Sequence, residues 1–167
     1  MDLNDIPALA HLTPSQLENL HQVGEQRELS AGEELIRRGD EGGKLYFLLE
    51  GTVEVYVEEG GSEIQLNQVE APAILGELEM LTGRGRTASV RFVSPGRTLA
   101  LRYTDIQERI DAGDPAVLQV MYGLARVIAN RLVSTTAKLV DLESKADPIG
   151  ASELKKFRQK LFSDWTV

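Results

Sequence analysis

One segment of the sequence, ILGELEMLTGRGRTASV at residues 74–90, combines residue types that bind phosphorylated ligands. Arg86 offers a planar guanidinium, which donates paired, charge-assisted hydrogen bonds to anionic oxygens. Glycine-rich turns and a short helix expose backbone N–H groups, which also bind anions. Glu77 offers a carboxylate that accepts hydrogen bonds from sugar hydroxyls, as acidic residues do with ribose in dinucleotide sites. The segment therefore predicts nucleotide recognition, with a Glu77–Arg86 ion pair bracing the loop as the structural alternative.

Short strands separated by glycine turns surround this segment, from about Gln26 to Tyr103. Apolar residues alternate with polar ones in two runs, at Val53, Val55 and Val57, and then at Ile64, Leu66 and Val69. Gly51 and the Gly60-Gly61 pair are typical turn residues. Many short strands at this spacing predict a jelly roll or β-barrel, not a parallel α/β sheet.

Helices are predicted on both sides of the strands. Thr13 and Gln16 have the spacing of a capping box and predict an entry helix, on which His21 lies at the surface. Thr104 begins a second capping-box pattern, which predicts a short helix to about Ala112.

A long helix is predicted from Asp114-Pro115 to about Lys145, with Asp114 as its N-cap. Its apolar residues form a seam with alternating spacings of four and three, Met121, Ala125, Ile128, Leu132, Thr135, Leu139 and Leu142. A second apolar row could pack on the sheet, Val117, Val120, Leu124 and Val127. The seam predicts a homodimer through this helix, with simple packing on the sheet as the alternative.

The last stretch, residues 146–167, begins with a predicted linker, ADPIGA. An amphipathic, net basic tail follows, with one apolar side made of Leu154, Phe157, Leu161 and Trp165. The predicted domain division is therefore 1–145 and 146–167.

Composition excludes several classes of protein. The chain has 167 residues, a formal net charge of −8 and no cysteine. An acidic balance argues against a nucleic-acid-coating surface, and the lack of cysteine excludes disulfide scaffolds and thiolate metal sites. Only His11 and His21 are histidines, and both precede the strands, so no metal site is predicted. No secretory signal or run of about 18 apolar residues occurs, which predicts a cytoplasmic chain without a membrane span.

Residues 74–90 resemble the phosphate-binding cassette of the cyclic nucleotide-binding domain family. That cassette has Gly-Glu, an Arg nine residues after the Glu, and then small residues. This sequence has Gly76-Glu77, Arg86 and then Thr87-Ala88-Ser89. Upstream, the family's glycine-spaced strands are matched at Gly32, Gly39 and Gly51. The resemblance covers roughly residues 12–145.

The resemblance implies an eight-stranded β-roll with an N-terminal helix and a long C-terminal helix, a cAMP or cGMP ligand, and no catalysis. It implies that Arg86 pairs with the cyclic phosphate and that Glu77 accepts from the ribose 2′-hydroxyl. Further ligand contacts are implied for the backbones of Gly76, Leu78 and Ala88 and the hydroxyl of Thr87.

The long helix resembles the dimer helix of catabolite activator-like members, with Thr135 and Thr136 at the hydroxyl pair that contacts adenine. A threonine hydroxyl both donates and accepts, so it could also serve guanine. Thr135 could instead be a polar residue that sets the register of the seam. The sequence departs from the cassette pattern at Leu75 (commonly Phe), Glu79 (commonly small and apolar) and Gly85 (commonly Pro).

These features predict a cAMP receptor, with cGMP as the second ligand, that signals through its long helix to an effector protein. A DNA-binding domain is not expected, since too few residues follow Lys145, and the chain is either a stand-alone sensor or an excised domain. The alternative is a degenerate β-roll that binds no nucleotide and serves as a dimeric interaction scaffold. An enzyme is not expected, because no nucleophile–base pair or metal-ligand cluster is present.

Overall fold

The period-two segments form the predicted β-roll. The computed structural model describes residues 3–145 and 148–162, and these contain eight strands in two four-stranded antiparallel sheets. The strands are β1 Glu25–Leu29, β2 Glu34–Ile36, β3 Lys44–Glu50, β4 Thr52–Glu59, β5 Ser62–Glu70, β6 Ala73–Leu75, β7 Ser89–Phe92 and β8 Gly96–Arg102. The first sheet has the order β1-β8-β3-β6 and the second β2-β7-β4-β5.

The β4–β5 hairpin turns where the sequence predicts it. Glu59 pairs with Ser62, so Gly60 and Gly61 form a two-residue loop with φ of +61° and +80°. Hairpin loops of this kind need positive φ at both central positions, which glycine adopts without a steric penalty.

The apolar alternation of β4 does not continue along the whole strand. Val53 is fully buried, but the pairing register with β5 shifts between Val55 and Tyr56, and beyond the shift Tyr56 is the buried residue while Val57 is half-buried. The pairing passes from Asn67 to Gln65 and skips Leu66, so the extra residue of this bulge lies in β5. The alternating run predicted at Val53, Val55 and Val57 lies within β4, and of these three only Val53 is fully buried.

The core lies between the two sheets and draws side chains from both. Its buried members are Leu29, Leu35, Ile36, Leu48, Val53, Leu75, Val90 and Phe92. Burying each large apolar side chain contributes on the order of 1.5–3 kcal/mol, so this cluster holds the two sheets together.

Five helices of more than one turn flank the strands in the described residues. They are α1 Pro14–Val23, α2 Glu77–Thr82, α3 Tyr103–Asp111, α4 Pro115–Lys145 and α5 Pro148–Phe162, preceded by a short 3-10 turn at Leu3–Asp5. The capping box of α1 is confirmed, because the Thr13 hydroxyl accepts from the N–H of Gln16 and the Gln16 side chain accepts from the N–H of Thr13.

The start of α3 differs from the prediction. The helix begins at Tyr103 with Arg102 as its N-cap, so Thr104 lies in the first turn and makes no cap. Two contacts fix the earlier start: Tyr103 N–H donates to the Gly43 carbonyl, and the Arg102 guanidinium pairs with Asp105 across the first turn. The end, at Asp111, lies within one residue of the predicted end.

The long helix α4 begins as predicted. The Asp114 carboxylate accepts from the N–H of Ala116 at 2.8 Å, and Pro115 is the first helical residue. Helix α5 begins at Pro148, inside the predicted linker, because proline is well tolerated in the first turn of a helix.

The chain divides into two compact units at Leu124/Ala125, inside α4 and upstream of the predicted boundary at 145/146. In the first unit, the second apolar row of α4 is buried at Val117, Val120 and Leu124. A side chain at Gly123 would collide with the Ala8 backbone, so the start of α4 packs closely on the N-terminal segment.

The second unit holds the rest of α4 and α5. Several apolar side chains of α4 are exposed in it, including Leu132, Val133, Val140 and Leu142. Arg158 of α5 pairs with Glu143 of α4 at 2.7 Å. In the predicted tail row, Leu154 is half-buried and Phe157 exposed, whereas Trp165 and the side chain of Leu161 lie outside the described residues.

Among the described helices, α4 alone is long and apolar enough to cross a membrane by length and composition. Its most apolar 18-residue window has a mean hydropathy of 1.2 and is 28% buried in the protein. One such helix is weak evidence for a membrane span, because core helices of soluble proteins pass the same test. Helix α4 also contains Arg126 and Arg131, and a charged side chain at the bilayer centre costs about 2.5–3.5 kcal/mol.

Candidate nucleotide-binding site

The cassette lies between β6 and β7 and consists of the short helix α2 and the loop that follows it. Gly76 precedes α2 with φ of +85°, and Gly83 ends it with φ of +65°, so both glycines adopt the left-handed conformation. The loop then leads through Arg86 into β7, which places Glu77 and Arg86 at the two ends of one compact excursion between strands.

Arg86 is buried, with 6% of the residue exposed, and its guanidinium is held by hydrogen bonds from both terminal nitrogens. Nη2 donates to the Lys44 carbonyl at 2.7 Å, and Nη1 donates to the Tyr103 hydroxyl at 3.1 Å and the Gly76 carbonyl at 3.3 Å. The guanidinium carbon also lies 5.7 Å and 5.9 Å from the ring centroids of Tyr46 and Tyr103. These contacts fix the guanidinium against β3, the start of α2 and the start of α3.

Glu79 supplies the carboxylate that pairs with Arg86. Its Oε2 lies 2.9 Å from Arg86 Nε, and its Oε1 accepts from the backbone N–H groups of Gly42 at 3.0 Å and Gly43 at 3.1 Å. The Tyr103 hydroxyl lies 3.4 Å from Oε2. An ion pair therefore braces the loop at Arg86, and its carboxylate is that of Glu79, whereas the alternative drawn from the sequence named Glu77.

Two glycines make room for this pair. A Cβ at Gly42 would overlap the Glu79 carboxylate and the Arg86 guanidinium, and a Cβ at Gly76 would overlap Arg86 Nη1. The backbone therefore approaches the charged groups more closely than any residue with a side chain would allow. This close approach is what brings the Gly42 and Gly43 amides within hydrogen-bond distance of the carboxylate.

Tyr103 joins α3 to the same network. Its hydroxyl donates to the Gly76 carbonyl at 2.7 Å and receives a hydrogen bond from Arg86. Burial raises the pKa of Tyr103 to about 12, because the phenolate would lose its hydration, and the nearby Arg86 charge opposes this shift only in part. The neutral phenol is therefore the form that the site holds at neutral pH.

The remaining predicted cassette residues lie on the same excursion. Glu77 is the first residue of α2 and is buried, with 4% exposed, whereas Leu78 is 43% exposed. Thr87 is exposed and Ala88 half-buried at the entry to β7. The structure thus gathers these side chains and Gly76 around one helix–loop segment.

Thr135 and Thr136 lie on α4, in the second compact unit. Thr135 is exposed and Thr136 half-buried within that unit.

Sequence reasoning missed four participants, Tyr103, Lys44, Gly42 and Gly43. It noted Glu79 only as a departure from the cassette pattern. A charged residue at a position that is commonly small and apolar was the available signal, because a charge that is mostly buried needs a partner. No sequence signal marked Tyr103, and a backbone carbonyl such as that of Lys44 carries none.

Among residues 3–145 and 148–162, no group of three or more His, Cys, Asp or Glu side chains is placed to hold a metal ion. The predicted surface position of His21 on α1 is confirmed.

The family model for the cyclic nucleotide-binding domain matches residues 26–112, more than half of the chain. The chain belongs to the cyclic nucleotide-binding domain family. Domains of this family are regulatory modules, and the match includes the whole cassette.

Individual relatives agree with this assignment. The cAMP-dependent protein kinase type II regulatory subunit of Drosophila melanogaster is 31% identical over 105 residues, which cover 63% of this chain and 27% of that protein. The catabolite activator protein of Thermus thermophilus has a TM-score of 0.70 at 26% identity, covering 81% of this chain and 62% of that chain. A cAMP-bound mutant regulatory subunit of a cAMP-independent protein kinase A from Trypanosoma brucei has a TM-score of 0.65 at 27% identity, covering 75% and 44%.

The chain spans only part of the curated relatives that it matches, 34% and 27% of two of them. The family match therefore describes this domain alone, and the activities of those larger proteins are not attributed to this chain.

Proposed function

We propose that this chain is a cyclic nucleotide receptor that prefers cAMP over cGMP. The observation that carries the proposal is the buried Arg86 guanidinium on a cassette whose opposite end holds the buried carboxylate of Glu77. A planar guanidinium suits a cyclic phosphate, and a carboxylate suits a ribose hydroxyl. The relatives named for cAMP-dependent signalling support the choice of ligand.

Each cassette residue has a proposed role. Arg86 pairs with the cyclic phosphate and Glu77 accepts a hydrogen bond from the ribose 2′-hydroxyl. The other proposed contacts are the backbones of Gly76, Leu78 and Ala88 and the hydroxyl of Thr87.

Thr135 and Thr136 are proposed to contact the base of the ligand, because their hydroxyls can both donate and accept hydrogen bonds. The seam on α4 supports a parallel homodimer through residues 117–142, since Leu132 and Leu142 expose apolar surface there. The proposed protein partners are a second copy of this chain and an unidentified effector protein.

In the proposed mechanism, the domain signals by conformation, catalyses no reaction and acts in the cytoplasm. The second candidate function is a scaffold that binds no nucleotide. It is favoured by a specific observation, because Glu79 already pairs with the arginine that the phosphate requires.

Calorimetric titration of the purified chain with cAMP and cGMP tests the proposal. Replacing Arg86 with Leu removes the phosphate partner and should weaken cAMP binding by roughly 30-fold to several thousand-fold, since loss of one partner of a buried charge pair costs about 2–5 kcal/mol. Arg84→Leu is the matched control, because Arg84 is exposed on the same loop and its loss changes the net charge equally.

Circular dichroism of each variant establishes that the β-roll is intact, and Arg86→Lys serves if the Leu variant does not fold. Lysine keeps the charge but lacks the two-pronged donor geometry, so it should also weaken binding. A parent chain that binds neither nucleotide would favour the scaffold. Equal cAMP affinity of the parent and a folded Arg86 variant would contradict the cassette assignment.

A further inference from the structure

The Glu79 carboxylate is surrounded by hydrogen-bond donors in the way that a bound anion is. Arg86 Nε and two successive backbone N–H groups, of Gly42 and Gly43, lie 2.9–3.1 Å from its oxygens, and the Tyr103 hydroxyl lies at 3.4 Å. Only 13% of the Glu79 side chain is exposed. A guanidinium with adjacent backbone amides is the donor set that binds phosphate oxygens in proteins.

The same contacts leave Arg86 with little capacity for a second anion. Glu79 takes the Nε donor, and the carbonyls of Gly76 and Lys44 and the Tyr103 hydroxyl take donors from the terminal nitrogens. An arginine has five N–H donors, so a phosphate that binds through two of them must displace an existing acceptor. Of these acceptors, Glu79 alone is a carboxylate, and it would repel the phosphate.

We propose that Glu79 is a specificity-determining residue that competes with the ligand phosphate for Arg86. The inference rests on the proposed function, since it needs a ligand phosphate at that arginine. Binding of a cyclic nucleotide then requires Glu79 to leave Arg86, which lowers the affinity for a charged ligand. A neutral nucleoside would not be penalised in this way, because it brings no negative charge to Arg86.

A purely supporting role for Glu79 would predict the opposite effect. If Glu79 held Arg86 in place for the phosphate, removing the carboxylate would weaken binding. Arg86 is, however, already fixed by the Lys44 carbonyl, the Gly76 carbonyl and the Tyr103 hydroxyl. The geometry therefore favours competition over support.

Glu79→Gln tests the proposal, because glutamine has the same size and its carbonyl oxygen can still accept from the Gly42 and Gly43 amides. The probes are cAMP and adenosine, titrated calorimetrically into the full chain and the variant. Glu41→Gln is the matched control, since Glu41 is exposed beside Gly42 and its replacement changes the net charge equally. Glu79→Ala is a second variant, which keeps the test valid if the glutamine is not accommodated.

We expect Glu79→Gln to bind cAMP at least about tenfold more tightly than the parent, because like-charge juxtaposition at a binding site is strongly unfavourable. Adenosine binding should be the same in the parent and the variant, and Glu41→Gln should leave both titrations unchanged. cAMP binding by the variant alone, with none by the parent, would support competition at Arg86 and would contradict the proposed receptor function of the parent chain.

Three outcomes would overturn it. If the parent binds cAMP and Glu79→Gln binds equally or less well, the inference fails while the proposed function stands. If the variant gains affinity for adenosine as much as for cAMP, the effect is not competition for the phosphate. If neither parent nor variant binds a cyclic nucleotide, the proposed function and this inference both fail.

Discussion

The Glu79–Arg86 ion pair can be measured in the folded protein by a double-mutant cycle on unfolding stability. The perturbations are Glu79→Ala, Arg86→Leu and the two together. Each single change leaves the other charge with its remaining partners, and the double change removes both charges. The difference between the double change and the sum of the single changes gives the coupling free energy of the pair.

The structure sets the expected size of each term. For unit charges about 4 Å apart at an effective dielectric constant of about 20, the attraction is about 4 kcal/mol, and the desolvation of both groups offsets much of it. Because the Arg86 and Glu79 side chains are 5% and 13% exposed, solvent screens the pair little. We therefore expect a coupling of about 1–3 kcal/mol.

The single variants should differ from each other. Arg86→Leu leaves the Glu79 carboxylate with only neutral donors, and losing one partner of a buried pair costs about 3–5 kcal/mol. Glu79→Ala leaves Arg86 with the Gly76 and Lys44 carbonyls and the Tyr103 hydroxyl, so its cost should be smaller, about 1–3 kcal/mol.

Urea unfolding followed by far-ultraviolet circular dichroism measures these free energies by linear extrapolation. Arg84→Leu is the control and should change stability by less than about 0.5 kcal/mol, since Arg84 is exposed. Distant, independent sites have additive effects on stability. If the summed costs of the two single changes equal the cost of the double change to within about 0.5 kcal/mol, the reasoning is refuted.

Two further predictions concern pH and assembly. The unfolding free energy should fall by about 1 kcal/mol as pH rises from 10 towards 12, because the unfolded chain ionises Tyr103 first while burial holds its folded pKa near 12. Below about pH 10, the raised pKa of Tyr103 contributes its full stabilisation of the folded chain. An equal fall in the unfolding free energy of a Tyr103→Phe variant would contradict this prediction. In analytical ultracentrifugation at micromolar concentrations, the parent should be a dimer, and Ile128→Glu with Leu132→Glu should make it a monomer by placing like charges in the seam. Asn130→Glu with Ser134→Glu, which adds the same charges off the seam, should remain a dimer, and a monomeric parent would contradict the assignment.

Local patterns predicted the fold well. The capping residues Thr13 and Asp114 mark the starts of α1 and α4, and the Gly60-Gly61 pair marks the β4–β5 hairpin. These signals depend on residues within a few positions of one another, so a sequence displays them completely. The hairpin glycines, for example, are required by backbone geometry whatever the rest of the chain does.

Contacts between distant elements limited the prediction elsewhere. The register shift between β4 and β5, at Leu66 of β5, depends on the pairing of the two strands, and no single-strand pattern reveals it. The start of α3 depends on the Gly43 carbonyl, which precedes the neighbouring strand β3 and accepts from the Tyr103 N–H. In both cases tertiary pairing decided the outcome over the local pattern.

The candidate site shows the same contrast between local patterns and contacts between distant elements. Spacing alone predicted Glu77 and Arg86 on one excursion, because both lie within a single short segment. The ring of donors around Glu79 could not be predicted, since the Gly42 and Gly43 amides lie 37 and 36 residues away in the chain.

Stability and ligand affinity should respond to Glu79 with opposite signs. The pair with Arg86 stabilises the folded chain, so Glu79→Ala should lower the unfolding free energy. The same carboxylate competes with the ligand phosphate, so its removal should raise the affinity for cAMP. A general loosening of the cassette would lower both quantities, because a site that is less well ordered also binds less tightly. Measuring both on one variant therefore separates competition at Arg86 from simple damage to the fold.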